Sequence, residues 1–533
     1  MHKSFNILNS SEPLNSSELD LSDKKLSDLH WSLNYQLTNI TTLCIKNNCL
    51  KELPEPEKLP NLISLNCSYN KIKKIPSYPH LQQLNCSNNK IIDLPYMAKL
   101  IMLDCSYNKI KEIPLYIQLK KLNCSNNKIN KISICPNIKN LNCSYNELKE
   151  IPMFPLLKYL NCSNNMINEL PIFTHIRTLN CSNNLLYRLN SFLHLEKLNC
   201  SINKIVEILF YPKLLELQCH NNNITTLKYY ADSQIESIDC SLNEHIDINF
   251  SFPNIKEFYC RNCGLNKIEP DFYPNLEILD CSYNNIRCIN MFDKLIELNC
   301  DRSNVYQIEM MKMLERLSCN YNNIEKLLKF PLLKILHANY NKLKSLPYFS
   351  NLIKLSCNNN LFEYIECPPK LINIDVSDNL LEKIKLSEKI EEIIISHNKI
   401  KEFNIDNLLN NKQKTLREIT LDYHQYNTFI KEYMDDMIIG VDVEIDRDLL
   451  TIILYQELNK INKIKEINDK IFVFLRNSIL AIDYTRSHLD IEHLVDKIYY
   501  LMTDTYCINV SKNNISDIIN YTYIETLIMI IYF

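Results

Sequence analysis

One word, Leu-Asn-Cys-Ser-x-Asn, recurs along this chain and constrains its fold more than anything else in it. Its cysteines set a ruler. Cys67, Cys86, Cys105, Cys124, Cys143, Cys162, Cys181, Cys200 and Cys219 follow one another at intervals of 19 residues. The interval widens to 21, 20 and 21 at Cys240, Cys260 and Cys281, then returns to 19 at Cys300, Cys319, Ala338, Cys357, Val376 and Ile395. Ile45 holds the same place 22 residues before Cys67, which makes 19 repeats. A unit this short cannot bury an apolar face alone, so the chain must stack its units into an array, each covering the next.

The unit from Leu62 to His80 reads LISLNCSYNKIKKIPSYPH, and Leu62 is taken as position one. Leu65, Asn66, Cys67 and Ser68 alternate as a short strand, and parallel stacking sets equal positions about 4.8 Å apart. Position nine is Asn in 17 of the 19 units, with Cys263 and Ser303 the exceptions. A buried Asn amide offers both donors and acceptors to backbone leaving the strand, so this row reads as a ladder along the turns. Prolines such as Pro76, Pro95, Pro114, Pro152 and Pro171 lack an N–H and fix φ, which favours an extended return segment over a helix.

This pattern resembles the leucine-rich repeat, LxxLxLxxNxL, with Cys in place of the third leucine, over roughly residues 40 to 400. The trailing Ile75-Pro76-Ser77-Tyr78-Pro79 is similar to the short proline-bearing repeats of bacterial effectors. The Asn-, Ile-, Lys- and Tyr-rich wording resembles leucine-rich repeat proteins of giant viruses of amoebae (mimivirus type). The resemblance implies an α/β solenoid with a parallel sheet on the concave side, a mostly extended, non-helical convex side, and a role in protein interaction. The expected organisation is an N-terminal segment and cap over 1–39, the solenoid over 40–400, a C-terminal cap over 401–425, and an acidic helical module over 426–533. That module carries 10 basic and 17 acidic residues, against a chain total of 59 and 62, and Ser487-His488-Leu489-Asp490 reads as a capping box within it.

Composition excludes several function classes. Glycine occurs only at Gly264 and Gly440, too few for a phosphate-cradling loop or a nucleophile elbow. The near balance of charge gives no electrostatic reason to expect nucleic acid or an anionic membrane. No secretory leader and no run of 18 apolar residues is visible, so the chain is expected to be intracellular, in the cytoplasm of a host cell, with reduced thiols. Of the 22 cysteines, 15 fall at position six and read as small core hydrophobes rather than metal ligands or disulfide partners. Cys260-Arg-Asn-Cys263 is a lone CxxC without the second pair a zinc ribbon needs. The Asn-Cys-Ser sequons lie in stacked strands and read as structural. No cofactor, metal or catalytic set is expected.

Positions three, five and seven are expected to face the concave side. From Asn66 to Asn199 that face is monotonous, with Asn or Asp at position five and Ser at position seven. From the Cys219 repeat onward it changes: Glu216, Gln218 and His220, then Glu257, Tyr259 and Arg261, then Asp301, Arg302, Arg316 and His337. Tyr and Arg recur at interface hot spots, so a partner-binding site is expected here, for a host or viral protein. The alternative is an effector with ubiquitin-ligase-type activity in the C-terminal module. Cys507, the only cysteine there, lacks the acidic residue two positions on that such enzymes show.

Overall fold

A computed structural model describes residues 16–27, 37–227, 233–248 and 251–401, together with the backbone at 418–421 and 438–441. These fall in two units, 1–343 with 347–349, and 344–346 with 350–533. In the first, three-residue strands recur once per repeat, from Glu18–Asp20 and Thr42–Cys44 to Arg316–Ser318 and Ile335–His337, each paired in parallel with its neighbour. Equal positions pair without slippage, as in Leu65↔Leu84 and Leu84↔Leu103. In the second unit Lys354–Ser356, Asn373–Asp375, Glu392–Ile394 and Glu418–Leu421 continue the pattern, and Ile438–Val441 pairs in parallel beyond them. That last strand lies inside the segment read as an acidic helical module, the rest of which is outside the described residues. Both units are parallel-strand solenoids. Among the described residues the only helices are two 3-10 turns, Pro56–Lys58 and Pro270–Phe272. On the side away from the sheet, two-residue strands such as Glu112–Ile113 and Lys131–Ile132 pair in parallel, so the return segments are extended as the prolines implied.

The core is built from rows. Positions one, four, six, eleven, fourteen and seventeen point inward, as Leu62, Leu65, Cys67, Ile72, Ile75 and Tyr78 do, all at most 1% exposed. At position seventeen the larger side chains stack from repeat to repeat, with Phe173, Phe192 and Tyr211 at ring separations of 6.3 and 6.2 Å. Buried tyrosines discharge their hydroxyls on the preceding return segment: Tyr78 donates to the Pro54 carbonyl at 2.6 Å and Tyr116 to Pro95 at 2.8 Å. Every described cysteine is a free thiol, and the position-six column is fully buried.

The Asn ladder has one repeated geometry. Asn127 Nδ2 donates to the carbonyls of Cys105, Cys124 and Ser125 at 3.0, 3.1 and 3.2 Å, while its Oδ1 accepts from the Ile110 N–H at 2.9 Å. One amide thus closes its own turn and ties it to the preceding repeat. Asn127→Ala leaves those groups unpaired and is expected to cost about 1–3 kcal/mol, read as a lowered urea midpoint. An unchanged midpoint would place Asn127 outside the ladder.

Three turns lack that Asn, carrying Lys24, Cys263 or Ser303 at position nine, and all three make the same adjustment. The next residue adopts positive φ: Lys25 at 56°, Gly264 at 71° and Asn304 at 56°. No other position ten among the described residues does so. The twist lets two N–H groups, from positions nine and eleven, converge on the Oδ1 of the following ladder Asn. Cys263 and Leu265 reach Asn284 at 3.0 and 2.9 Å, and Ser303 and Val305 reach Asn322 at 3.0 and 2.9 Å. Cys263 Sγ and Ser303 Oγ also take over the missing amide's donation, to the Cys240 carbonyl at 3.3 Å and the Cys281 carbonyl at 2.9 Å. Cys263 is therefore part of the turn ladder.

Candidate functional site

The strand ends at position five, and the chain beyond it departs from the expected in-out alternation. Asn66 Oδ1 accepts from both the N–H and the hydroxyl of Ser68, at 3.2 and 2.8 Å, a local turn that folds position seven inward. Ser68, Ser87, Ser106 and Ser125 are accordingly buried, which corrects the reading of position seven as part of the outer face. Position eight then takes left-handed φ in repeat after repeat, whether it is Tyr69, Asn88, Ile202 or Leu242. The outer face is thus made by positions three and five, with position eight along its rim, and where position seven is the long, exposed Arg261 rather than Ser it reaches that rim as well.

From Ser64 to Tyr159 this face forms a shallow groove of about 590 Å³, floored by the position-five row that includes Asn66, Asn85 and Asn142. Each of these Asn carbonyls is taken by its own Ser, so the row presents amide donors except at Asp104, whose carboxylate accepts from Asn123 Nδ2 at 3.2 Å. A nearly uniform row of this sort hydrates well and discriminates little.

The stretch between Glu216 and His337 is built differently, from contacts that cross between repeats. Glu216 pairs with Lys197, and Gln218 accepts from Asn199 Nδ2 at 2.7 Å. His220 Nδ1 lies 3.0 Å from Asp239 Oδ2, and hydrogen bonds from His220 and Ser241 hold the half-buried Asp239 carboxyl below its ordinary range although desolvation by burial, its largest influence, pushes the other way. Glu257 accepts from Ser237 Oγ at 3.1 Å. Tyr259 sits in register between Asp239 and Asp280. Partial burial pushes its hydroxyl pKa up first, and the carboxylates of Glu257, Glu297, Asp239 and Asp280 add to the rise, so the ring lies in a field of negative charge.

The rim beside it carries a cation–aromatic stack. The Arg261 guanidinium lies 4.3 Å from the centre of the Tyr283 ring. Arg302 stands between Tyr283 and Tyr321, at 5.7 and 3.7 Å, and Tyr321 stacks on Tyr340 at 4.2 Å and 8°. Asp301 is turned toward the next repeat, where it accepts from the Asn320 backbone N–H at 2.7 Å and from Ser318 Oγ at 2.9 Å. Arg316 pairs with Glu297 at 2.9 Å, and His337 is half-buried on the last strand of the row. Of the ten nominated residues, Glu257 lies beside Tyr259, and Arg261 and Arg302 stack on tyrosines of the rim, whereas Glu216, Gln218, His220, Asp301 and Arg316 are each held by a partner in a neighbouring repeat. Asp239, Asp280, Tyr283 and Tyr321 take part in the same surroundings and were not singled out. The two aspartates could have been read from position five, and the tyrosines from position eight.

Among the described residues no group of three His, Cys, Asp or Glu side chains could hold a metal ion, and no helix is long and apolar enough to cross a membrane. Cys507, on which the ligase alternative depends, lies outside the described residues.

Comparison with known proteins agrees with the repeat. Residues 38–80 match the family model described as leucine rich repeats in two copies. A leucine-rich repeat protein of Acanthamoeba polyphaga mimivirus is 37% identical over 75 residues, which are 14% of this chain and only 18% of that relative's length. Among solved structures, YopM from Yersinia enterocolitica superposes with a TM-score of 0.54 at 22% identity, covering 76% of this chain and 91% of that one. InlJ from Listeria monocytogenes, whose functional domain is described as including a cysteine ladder, gives 0.48 at 24% identity over 58% and 69% of the two chains. The fold is that of a leucine-rich repeat solenoid, as the sequence resemblance implied.

Proposed function

We propose that this leucine-rich repeat solenoid is a non-enzymatic protein-interaction scaffold, and that its partner, a host or viral protein, docks on the sheet face between Glu216 and His337. The observation that carries the reading is the change of that face from a row of Asn broken only by Asp104 to carboxylates around Tyr259 with arginines stacked at its rim. Affinity concentrates in Tyr and Arg side chains that a rigid framework holds in place. Here cross-repeat contacts hold both types, so little rotamer freedom is lost on docking. Negative charge around Tyr259 favours a partner that brings Lys or Arg to the ring. The free, buried thiols suit a reducing compartment, which supports placement inside the cell.

The test is capture of binding proteins from host-cell extract by the full chain, beside Tyr259→Ala with Arg261→Ala. A second comparison carries Asn142→Lys on the monotonous half of the face. A protein retained by the wild type and by Asn142→Lys, but lost with the double variant, supports the site. Equal retention by the double variant sinks the placement.

A further inference from the structure

The side of the first unit away from the sheet carries two exposed rows, at positions sixteen and eighteen, on either side of the buried row at seventeen. Over five successive repeats position sixteen is Tyr96, Leu115, Ile134, Met153 and Ile172, exposed by 51, 45, 59, 57 and 55%. Position eighteen is Ala98, Ile117, Pro136, Pro155 and Thr174, also exposed. Ten neighbouring exposed positions thus carry no charge, in a chain of which 23% is charged. Together they present on the order of 800 Å² of mostly apolar surface, more than the roughly 300–600 Å² of a monomer's usual largest patch and close to the about 800 Å² each partner gives to a standard interface.

We infer that this face is the contact between two copies of the chain. The borders of the patch argue for a second copy rather than another occupant. One border, at position thirteen, is acidic except at its middle, with Asp93, Glu112, Lys131, Glu150 and Glu169, and the other, at position nineteen, carries no acid, with Lys99, Gln118, Asn137, Leu156 and His175. A two-fold axis running along the rows, between sixteen and eighteen, lays the first border of each copy on the second border of the other. Asp93 then faces Lys99, Glu112 faces Gln118, Lys131 faces Asn137, Glu150 faces Leu156 and Glu169 faces His175, so no two like charges meet across these borders. The same axis sets the side-chain ridges of position sixteen against the smaller residues of position eighteen. Because both copies share the 4.8 Å repeat, ridges and gaps stay in step along the whole patch. This contact leaves the proposed docking face free and does not depend on that reading.

Light scattering of the full chain at micromolar concentration is expected to give twice 63.0 kDa. Ile134→Lys with Met153→Lys buries two ammonium groups at the centre of the contact and is expected to weaken the dimer at least tenfold, whereas Ile134→Leu leaves it intact. Both altered residues are exposed in a single copy, so an unchanged urea midpoint at low concentration shows that the fold is kept. A wild-type chain that stays monomeric, or a dimer that survives the double lysine variant, overturns the inference.

Discussion

Above about pH 9 the folded chain is expected to lose stability steeply, because the column at its centre is made of thiols. All fourteen cysteines of that column from Cys67 to Cys319 lie above their ordinary pKa of 9.0, thirteen of them pushed up chiefly by burial and Cys240 first by its hydrogen bond with Cys263 and then by burial, and Cys67, Cys162 and Cys200 reach about 12. A thiol is neutral when protonated, so the folded state holds its protons where the unfolded chain has already released them. The contribution is complete below the unfolded pKa and is lost as pH climbs from about 9 toward about 12, at roughly 1.4 kcal/mol per thiol for each pH unit. Buried Tyr78, Tyr116, Tyr211 and Tyr273 are pushed up by the same desolvation and act in the same direction. With that many groups acting together, the urea midpoint is expected to fall by more than half between neutral pH and about pH 10. Thiolate absorbance should appear with the unfolding transition and not ahead of it. A midpoint unchanged over this range would mean that the cysteines are not the buried column.

Gly264→Ala should be among the most damaging single methyl additions in the solenoid. A Cβ built there meets the carbonyl oxygen of Glu244 at 2.5 Å, and the neighbour is backbone already fixed in the adjacent repeat. The residue also holds φ of 71°, so the new side chain adds left-handed strain to the clash. The expected loss is at least about 3 kcal/mol. Asn304 occupies the corresponding left-handed place at the Ser303 gap, and there Asn304→Gly relieves strain and should be neutral or stabilising by up to about 1 kcal/mol. Equal urea midpoints for Gly264→Ala and the wild type would show that the turn can open at this point.

The repeat made most of the core legible before any coordinate. Cys67 and its counterparts at position six, and Asn70 and its counterparts at position nine, each recur with one environment, so their inward direction followed from periodicity. Position seven was misread because alternation was carried past the end of the strand. The bond from Ser68 to Asn66 begins a turn at that point, and a two-residue period has no meaning beyond it. The left-handed conformation at position eight was hidden by its occupants. Tyr107 and Ile202 are residue types that avoid positive φ, and they adopt it here because ladder bonds on both sides fix the turn. The compensation at Lys25, Gly264 and Asn304 was legible only in part: the missing Asn shows in the sequence, but the double N–H contact with the next repeat needs the backbone. At the candidate site, residue types were readable while their partners were not. Arg261 and Arg302 stood out as cations, yet the tyrosines they stack on belong to a row that resembled plain duplication of a two-repeat block.

The register of the repeat, with positions six and nine inward and positions five and eight outward, underlies both proposed surfaces. Alkylating the native chain with a thiol reagent and locating the label by mass spectrometry tests that register most directly. Among the described cysteines, only the half-buried Cys44, Cys49 and Cys288 are expected to react, while Asn126→Cys, at an outward position eight, should add a fast-reacting site. Rapid labelling of Cys105 and Cys124 in the folded chain, with Asn126→Cys protected, would contradict the register and with it the docking face and the dimer contact.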